Sequence, residues 1–271
     1  MSEELPRNVK LTVEYDGTAY HGWQRQANAL TVQQVLEEGI AAIVGHEVTL
    51  YGSGRTDAGV HALGQVASFH IRSTIPADRL PHAINSAIPP DIAVVRADDV
   101  AHDFHARYSA TGKTYRYTIL CRPVRPAVGA RYVHWVRRAL DAAAMQAAAA
   151  HFVGEHDFAA FETESTGEGS VRTVTEAGVE RDGERIEFTV SANGFLYNMV
   201  RAMVGTLLEV GLGKRPPDDI PRLLAARDRS LVGPTAPAKG LCLMQVDYGD
   251  ASRVAQRCGE TIRDGRRDLI G

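Results

Sequence analysis

At 271 residues with 44% hydrophobic content, the chain has enough apolar side chain for one large core or two small ones and reads as a globular protein. Its three cysteines, Cys121, Cys242 and Cys258, are odd in number and far apart, which excludes a disulfide framework and a cysteine-ligated zinc site. No run approaches the roughly 20 apolar residues of a spanning helix and residues 1–6 lack a signal-peptide core, so the expectation is a soluble cytoplasmic protein with no membrane partner.

Residues 9–15 alternate, with Val9, Leu11, Val13 and Tyr15 on one face, and predict a first strand. The polar and aromatic loop 16–26 follows; its large side chains suit a ligand contact or a brace for the next loop. Thr31 opens a helix with Gln34 at capping-box spacing, Val32, Val35, Leu36, Ile40 and Ile43 form its apolar face, and Gly45 ends it. Predicted strands at 48–51 and 66–71 then flank the loop 52–65. In that loop Gly52, Gly54, Gly59 and Gly64 permit positive φ or close backbone approach, while Arg55 and Asp57 fall on one side of an extended segment. Two readings stand: a glycine-rich turn whose Asp caps an amide and whose Arg is its surface partner, or a loop that displays a catalytic carboxylate. A short helix at about 77–87 and a strand at 92–96 complete the order strand, helix, strand, strand, helix, strand. That is a split βαβ unit, both helices on one face of an antiparallel sheet.

A net charge of −3 taken alone disfavours nucleic acid, but the whole-chain sum hides local fields. Between His105 and Arg138 stand Arg107, Lys113, Arg116, Arg122, Arg125, Arg131, Arg137 and Arg138 with no acidic residue, interleaved with Tyr108, Tyr115, Tyr117, Tyr132 and Trp135. Cations for phosphates and flat rings for bases are what single-stranded or looped nucleic acid requires; a solvated strand with chance clustering is the alternative.

Within this stretch residues 113–121 alternate as a strand. Asp141 caps an alanine-rich helix to about residue 152, residues 162–170 read as a mobile insertion, and strands at 171–180 and 185–191 meet at the turn Asp182-Gly183. In the helix predicted at 195–210, Leu196, Met199, Val200, Met203, Val204, Leu207 and Leu208 repeat at helical spacing, so they are core. Arg201 lies at the margin of that stripe, either as an ordinary exposed arginine or with its guanidinium extended into a cleft. A helix at 216–227 and a strand at 240–248 follow, and the arginine-rich residues 251–271 read as a frayed tail. The fold class expected is α+β: two tandem ferredoxin-like (split βαβ) domains, 1–105 and 106–250, with antiparallel sheets near one another and a cleft between them.

Five motifs occur together and in order: Tyr15-Asp16-Gly17-Thr18-Ala19-Tyr20-His21-Gly22-Trp23-Gln24-Arg25-Gln26, Gly54-Arg55-Thr56-Asp57-Ala58-Gly59-Val60-His61, Phe104-His105-Ala106-Arg107-Tyr108-Ser109-Ala110, Tyr115-Arg116-Tyr117, and Phe195-Leu196-Tyr197-Asn198-Met199-Val200-Arg201. Together, from about residue 8 to 249, they resemble the TruA-type tRNA pseudouridine synthases. The resemblance implies isomerisation of uridine to pseudouridine at positions 38, 39 and 40 of the tRNA anticodon stem-loop, by a homodimer of two ferredoxin-like domains per chain with a basic cleft and no cofactor or metal. It matches Asp57 to the catalytic aspartate, Arg55 to the arginine proposed to displace the target base, Tyr115 to the tyrosine packed on the uracil, and Arg201 to the partner of the carboxylate. Arg107 and Arg116 are further expected substrate contacts in the basic stretch. The reaction moves the uracil from its N1 bond to a C5 bond with C1′ and adds nothing, so a redox or group-transfer cofactor has no task. Attack by the carboxylate at C1′, attack at C6, and departure through a glycal all stay open. With one carboxylate in the loop, hydrolysis of a glycosidic bond by an acid pair is disfavoured. A non-catalytic RNA-binding protein and a related synthase with another RNA target are the alternatives.

Overall fold

The computed structural model describes residues 6–164 and 169–249. Residues 165–168 of the expected insertion and the whole expected tail at 251–271 lie outside the described residues.

Strand β1 (Arg7–Tyr15) runs antiparallel between β3 (His61–Ile71) and β4 (Ile92–Val100), and Val9, Leu11, Val13 and Tyr15 are all buried on its inner face. That face packs with α1 (Val32–Val44) and α2 (Leu80–Asn85) in a single core. Helix α1 begins where the Thr31 hydroxyl accepts the Gln34 N–H and stops at Gly45, whose φ of 77° needs a residue without Cβ. Strand β2 (Tyr51–Gly52) pairs with β3, so the first half has the order β4-β1-β3-β2.

The second half contains β5 (Gly112–Cys121), β6 (His134–Val136), α3 (Ala142–Ala150), β7 (Gly154–Asp157), β8 (Val171–Asp182), β9 (Arg185–Ala192), α4 (Met199–Gly211), α5 (Ile220–Ala226) and β10 (Leu241–Asp247). Its order, β10-β5-β9-β8, places fourth, first, third and second strands side by side as in the first half, with β7 added at the edge and β6 beside β5. The spacing of apolar residues made α4 legible, and Met199, Met203, Val204 and Leu207 are indeed buried. Each such side chain contributes on the order of 1.5–3 kcal/mol by leaving water.

Several boundaries differ from the sequence reading. Of the strand expected at 48–51 only Tyr51 pairs, because the Leu50 N–H donates to Glu37 and its carbonyl accepts from Gln33, both on α1, instead of bonding a strand. Strand β3 starts at His61, because Gly64 is a strand residue rather than part of a loop: a Cβ there would lie 2.4 Å from the Met244 carbonyl oxygen of β10. Helix α4 starts at Met199, because Asn198 adopts a left-handed φ of 60° and turns Phe195, Leu196 and Tyr197 into a loop. The halves also do not carry separate sheets. Cys242 and Leu243 pair in parallel with His61 and Ala62, so β3 and β10 join all the strands into one ten-stranded sheet.

Candidate active site

The loop 53–60 leaves β2 and returns into β3 with its shape set by backbone bonds. Trp23 N–H donates to the Thr56 carbonyl at 3.1 Å, Val60 N–H to the Asp57 carbonyl at 3.1 Å, and Gly59 N–H to the Tyr20 carbonyl at 3.3 Å. Gly22, at φ 84°, sits so close that a Cβ would meet the Thr56 carbonyl oxygen at 2.3 Å. Of the two roles open to loop 16–26, bracing is the one these contacts perform. From beneath, the Tyr15 hydroxyl bonds Thr56 Oγ1 at 2.8 Å, and fully buried Gln65 takes the Ser53 hydroxyl at 2.7 Å while donating to the Gly54 carbonyl at 3.1 Å. The loop is therefore rigid where Asp57 projects.

Across from it, Arg201 rises from the first turn of α4. Its Nη1 donates to Asp57 Oδ2 at 2.9 Å and to Asn198 Oδ1 at 2.6 Å, and its Nε donates to the Ala236 carbonyl at 2.7 Å. Both members of the ion pair are 18% exposed, so the charges meet in a partly desolvated setting, where such a bond is stronger than at a surface. Three acceptors from three segments hold the guanidinium in one plane and so aim the carboxylate.

The pair lies in a cavity of about 620 Å³ lined also by Arg55, Arg107, Tyr115 and Phe195. Tyr115 is 8% exposed and meets Phe195 edge-on, ring centroids 5.2 Å apart. Burial, with the charges of Tyr15 and Asp57 adding to it, pushes the Tyr115 phenol far above the usual range, so it stays protonated. Arg55 is exposed and makes no hydrogen bond or ion pair among the described residues, so it is not the surface partner of Asp57. The guanidinium of Arg107 lies 5.7 Å over the Tyr108 ring, and a tilted stack continues from Tyr108 through His105 to Tyr51 at centroid distances of 4.5 and 5.0 Å.

Arg116 is placed elsewhere. One residue on from Tyr115 in β5, it turns to the opposite face of the sheet, lines a separate cavity with Asp16 and His61, and pairs with Glu187 at 3.5 Å. Sequence reasoning missed Phe195, Arg172, Asn198 and the Ala236 carbonyl as parts of the site. A backbone carbonyl carries no side-chain signal, and Asn198 acts through a left-handed cap inside what reads as continuous helix. Among the described residues no three His, Cys, Asp or Glu side chains stand together as metal ligands.

Fold and site together define a protein with one rigidly held carboxylate in a cation-rich cavity, on a sheet with the same strand order in each half. The profile of a family described as tRNA pseudouridine synthase matches residues 11–109 and 148–249, and the chain belongs to that family. Its members convert uridine to pseudouridine in tRNA. Similar curated proteins include tRNA pseudouridine synthase A of Acetivibrio thermocellus and tRNA pseudouridine synthase A 2 of Clostridium perfringens, each 49% identical over 243 residues, covering 89% of this chain and 100% of the relative. A further tRNA pseudouridine synthase A, from Ruminiclostridium cellulolyticum, is 49% identical over 247 residues with the same coverage. Among solved structures, the archaeal box H/ACA sRNP Nop10-Cbf5 complex aligns with a TM-score of 0.34 and 14% identity over 74% of this chain and 44% of that chain, too loose a likeness to carry an argument.

Proposed function

We propose that Asp57 is the catalytic carboxylate of this tRNA pseudouridine synthase and that its targets are uridines 38, 39 and 40 of the anticodon stem-loop. The observation that carries the first part is the 2.9 Å ion pair that fixes Asp57 against Arg201 inside the cavity shared with Tyr115. The target uridine must leave its stack to reach that carboxylate, and Tyr115 with Phe195 offers a flat, apolar wall to receive the base. Arg55, exposed at the cavity and unpaired among the described residues, takes the space that the base vacates. The N1–C1′ bond breaks, C5 bonds to C1′, the proton on C5 is lost and N1 gains one, so product and substrate have the same atoms. Asp57 acts as nucleophile or as base in that sequence, and Arg201 holds its direction throughout.

The choice of uridines is supported by the five ordered motifs and by the aromatic and cationic strip of exposed Tyr51, Arg107 and Tyr108 with half-buried His105 between the rings, which suits an unpaired loop. We also propose that residues 1–105 and 106–250 act as two units, that two chains hold one tRNA between them, and that the enzyme works in the cytoplasm. The test uses tRNA labelled with tritium at uridine C5. Release of label by the parent protein and none by Asp57→Ala is expected, and release by both removes Asp57 from the reaction. Mapping pseudouridine at single-nucleotide resolution in tRNA from a deletion strain tests the target positions, with modification surviving at 38–40 as the contrary result.

A further inference from the structure

Lys113 is a cation that the chemistry at Asp57 does not use. It precedes Tyr115 by two residues on β5, so strand alternation turns both side chains into the same cavity, about 6–7 Å apart along the strand. Its Nζ rests on the backbone of Gly54, where a Cβ would come within 2.6 Å of it. Among the described residues the Lys113 ammonium has no hydrogen bond or ion pair, and the one carboxylate lining the cavity, Asp57, is taken by Arg201. Arg107 and Arg172 line the same cavity, and their charges act on Lys113. Burial first, and then repulsion from these two arginines, hold its ammonium down to about 8. A desolvated ammonium among other cations either gives up its proton or keeps it by gaining an anion.

We propose that Lys113, flanked by Arg107 and Arg172, holds a phosphodiester of the substrate RNA beside the target uridine and so anchors the backbone while the base turns toward Asp57. Phosphate is the anion RNA supplies, and this assignment rests on the cavity being the active site. Gly54 is then the residue that lets the ammonium stand this close to the catalytic loop.

The experiment uses the full chain carrying Asp57→Ala, which binds without turning over, and a stem-loop RNA from the anticodon arm. Adding Lys113→Met removes the charge and keeps the stem; Lys113→Gln, run in parallel, covers a Met variant that folds badly. Affinity is expected to fall about tenfold, and the slope of log affinity against log salt to lose about one phosphate contact, with Lys113→Arg restoring most of both. Replacing single phosphates by neutral methylphosphonates should reveal one position, next to the target uridine, where the parent weakens and the Met variant does not. An unchanged salt slope, or no position whose effect disappears with Lys113, overturns the proposal. Tritium release by the protein with Asp57 intact is scored separately, so loss of the catalytic reading is told apart from loss of this one.

Discussion

The two halves of the sheet repeat one strand order yet furnish the site by different means. From the first half comes a loop, residues 53–60, whose carboxylate is aimed by backbone hydrogen bonds and by glycines at close approaches. The second half supplies side chains on regular elements, Tyr115 on a central strand and Arg201 on the first turn of a helix whose inner face is core. A loop of this kind is placed by what its backbone bonds to, a helix or strand side chain by the packing behind it. Neither half closes the ion pair alone. The pairing of β3 with β10, over residues 61–62 and 242–243, is what brings them into register.

Breaking the first half's contribution should cost most. Asp57→Ala is expected to lower the single-turnover rate by about 10⁴-fold or more while tRNA affinity stays within a few-fold, measured under saturating enzyme. Next comes the second half's contribution: Arg201→Ala should lower turnover by about 10²–10³-fold, the usual loss for one charge-stabilising donor. Arg201→Lys should recover only part of it, since an ammonium lacks the planar fork that meets Asp57, Asn198 and Ala236 together. Parental turnover in Arg201→Ala would sink the pairing argument.

The seam between the halves is the third place to press. Gly64→Ala puts a Cβ 2.4 Å from the Met244 carbonyl oxygen, so β10 must shift against β3. Unfolding in denaturant should show a loss of about 1–3 kcal/mol, with turnover dropping more than tRNA affinity because the ion pair spans the shifted strands. Equal stability in the variant would mean that the seam yields freely and does not set the geometry.

How much of this was legible in the sequence follows the same division. The ends of α1 were readable because Thr31 and Gly45 act on their own neighbours, and the core face of α4 because its period is local. The strand order of each half followed from the succession of elements. The seam was not readable, since a two-residue pairing between positions some 180 apart leaves no local pattern, and Gly64 just beyond it looked like loop. For the same reason, the parts of the site that are backbone, the Ala236 carbonyl and the left-handed Asn198, appeared only in the fold.

Lys113 adds a test of smaller size. Its folded value of about 8 lies below the ordinary 10.5, so in that window the unfolded chain binds the extra proton and stability rises with pH. Lys113→Met lacks this rise; its advantage in stability over the parent should be largest near neutral pH and shrink by about pH 9.5. Cys242, pushed up to about 11 by burial, works in the opposite sense above its usual 9.0, but it is present in both proteins and cancels in the difference. A difference that stays flat between about pH 7.5 and 9.5 would mean that Lys113 is not held down in the fold.

Arg116 should give the smallest effect and the sharpest contrast, because it is the immediate neighbour of Tyr115 and faces the other way. Its ion pair with Glu187 joins side chains 41% and 29% exposed, an arrangement worth about 0–1 kcal/mol at most. Removing it leaves the Asp57 cavity untouched, so Arg116→Ala should keep turnover within about twofold of the parent. Tyr115→Ala, by comparison, opens the wall of the Asp57 cavity that is proposed to receive the base and should reduce turnover strongly. If the two variants lost activity alike, RNA would have to contact both faces of the sheet at once, and the confinement of the chemistry to the face that carries Tyr115 would have to be abandoned.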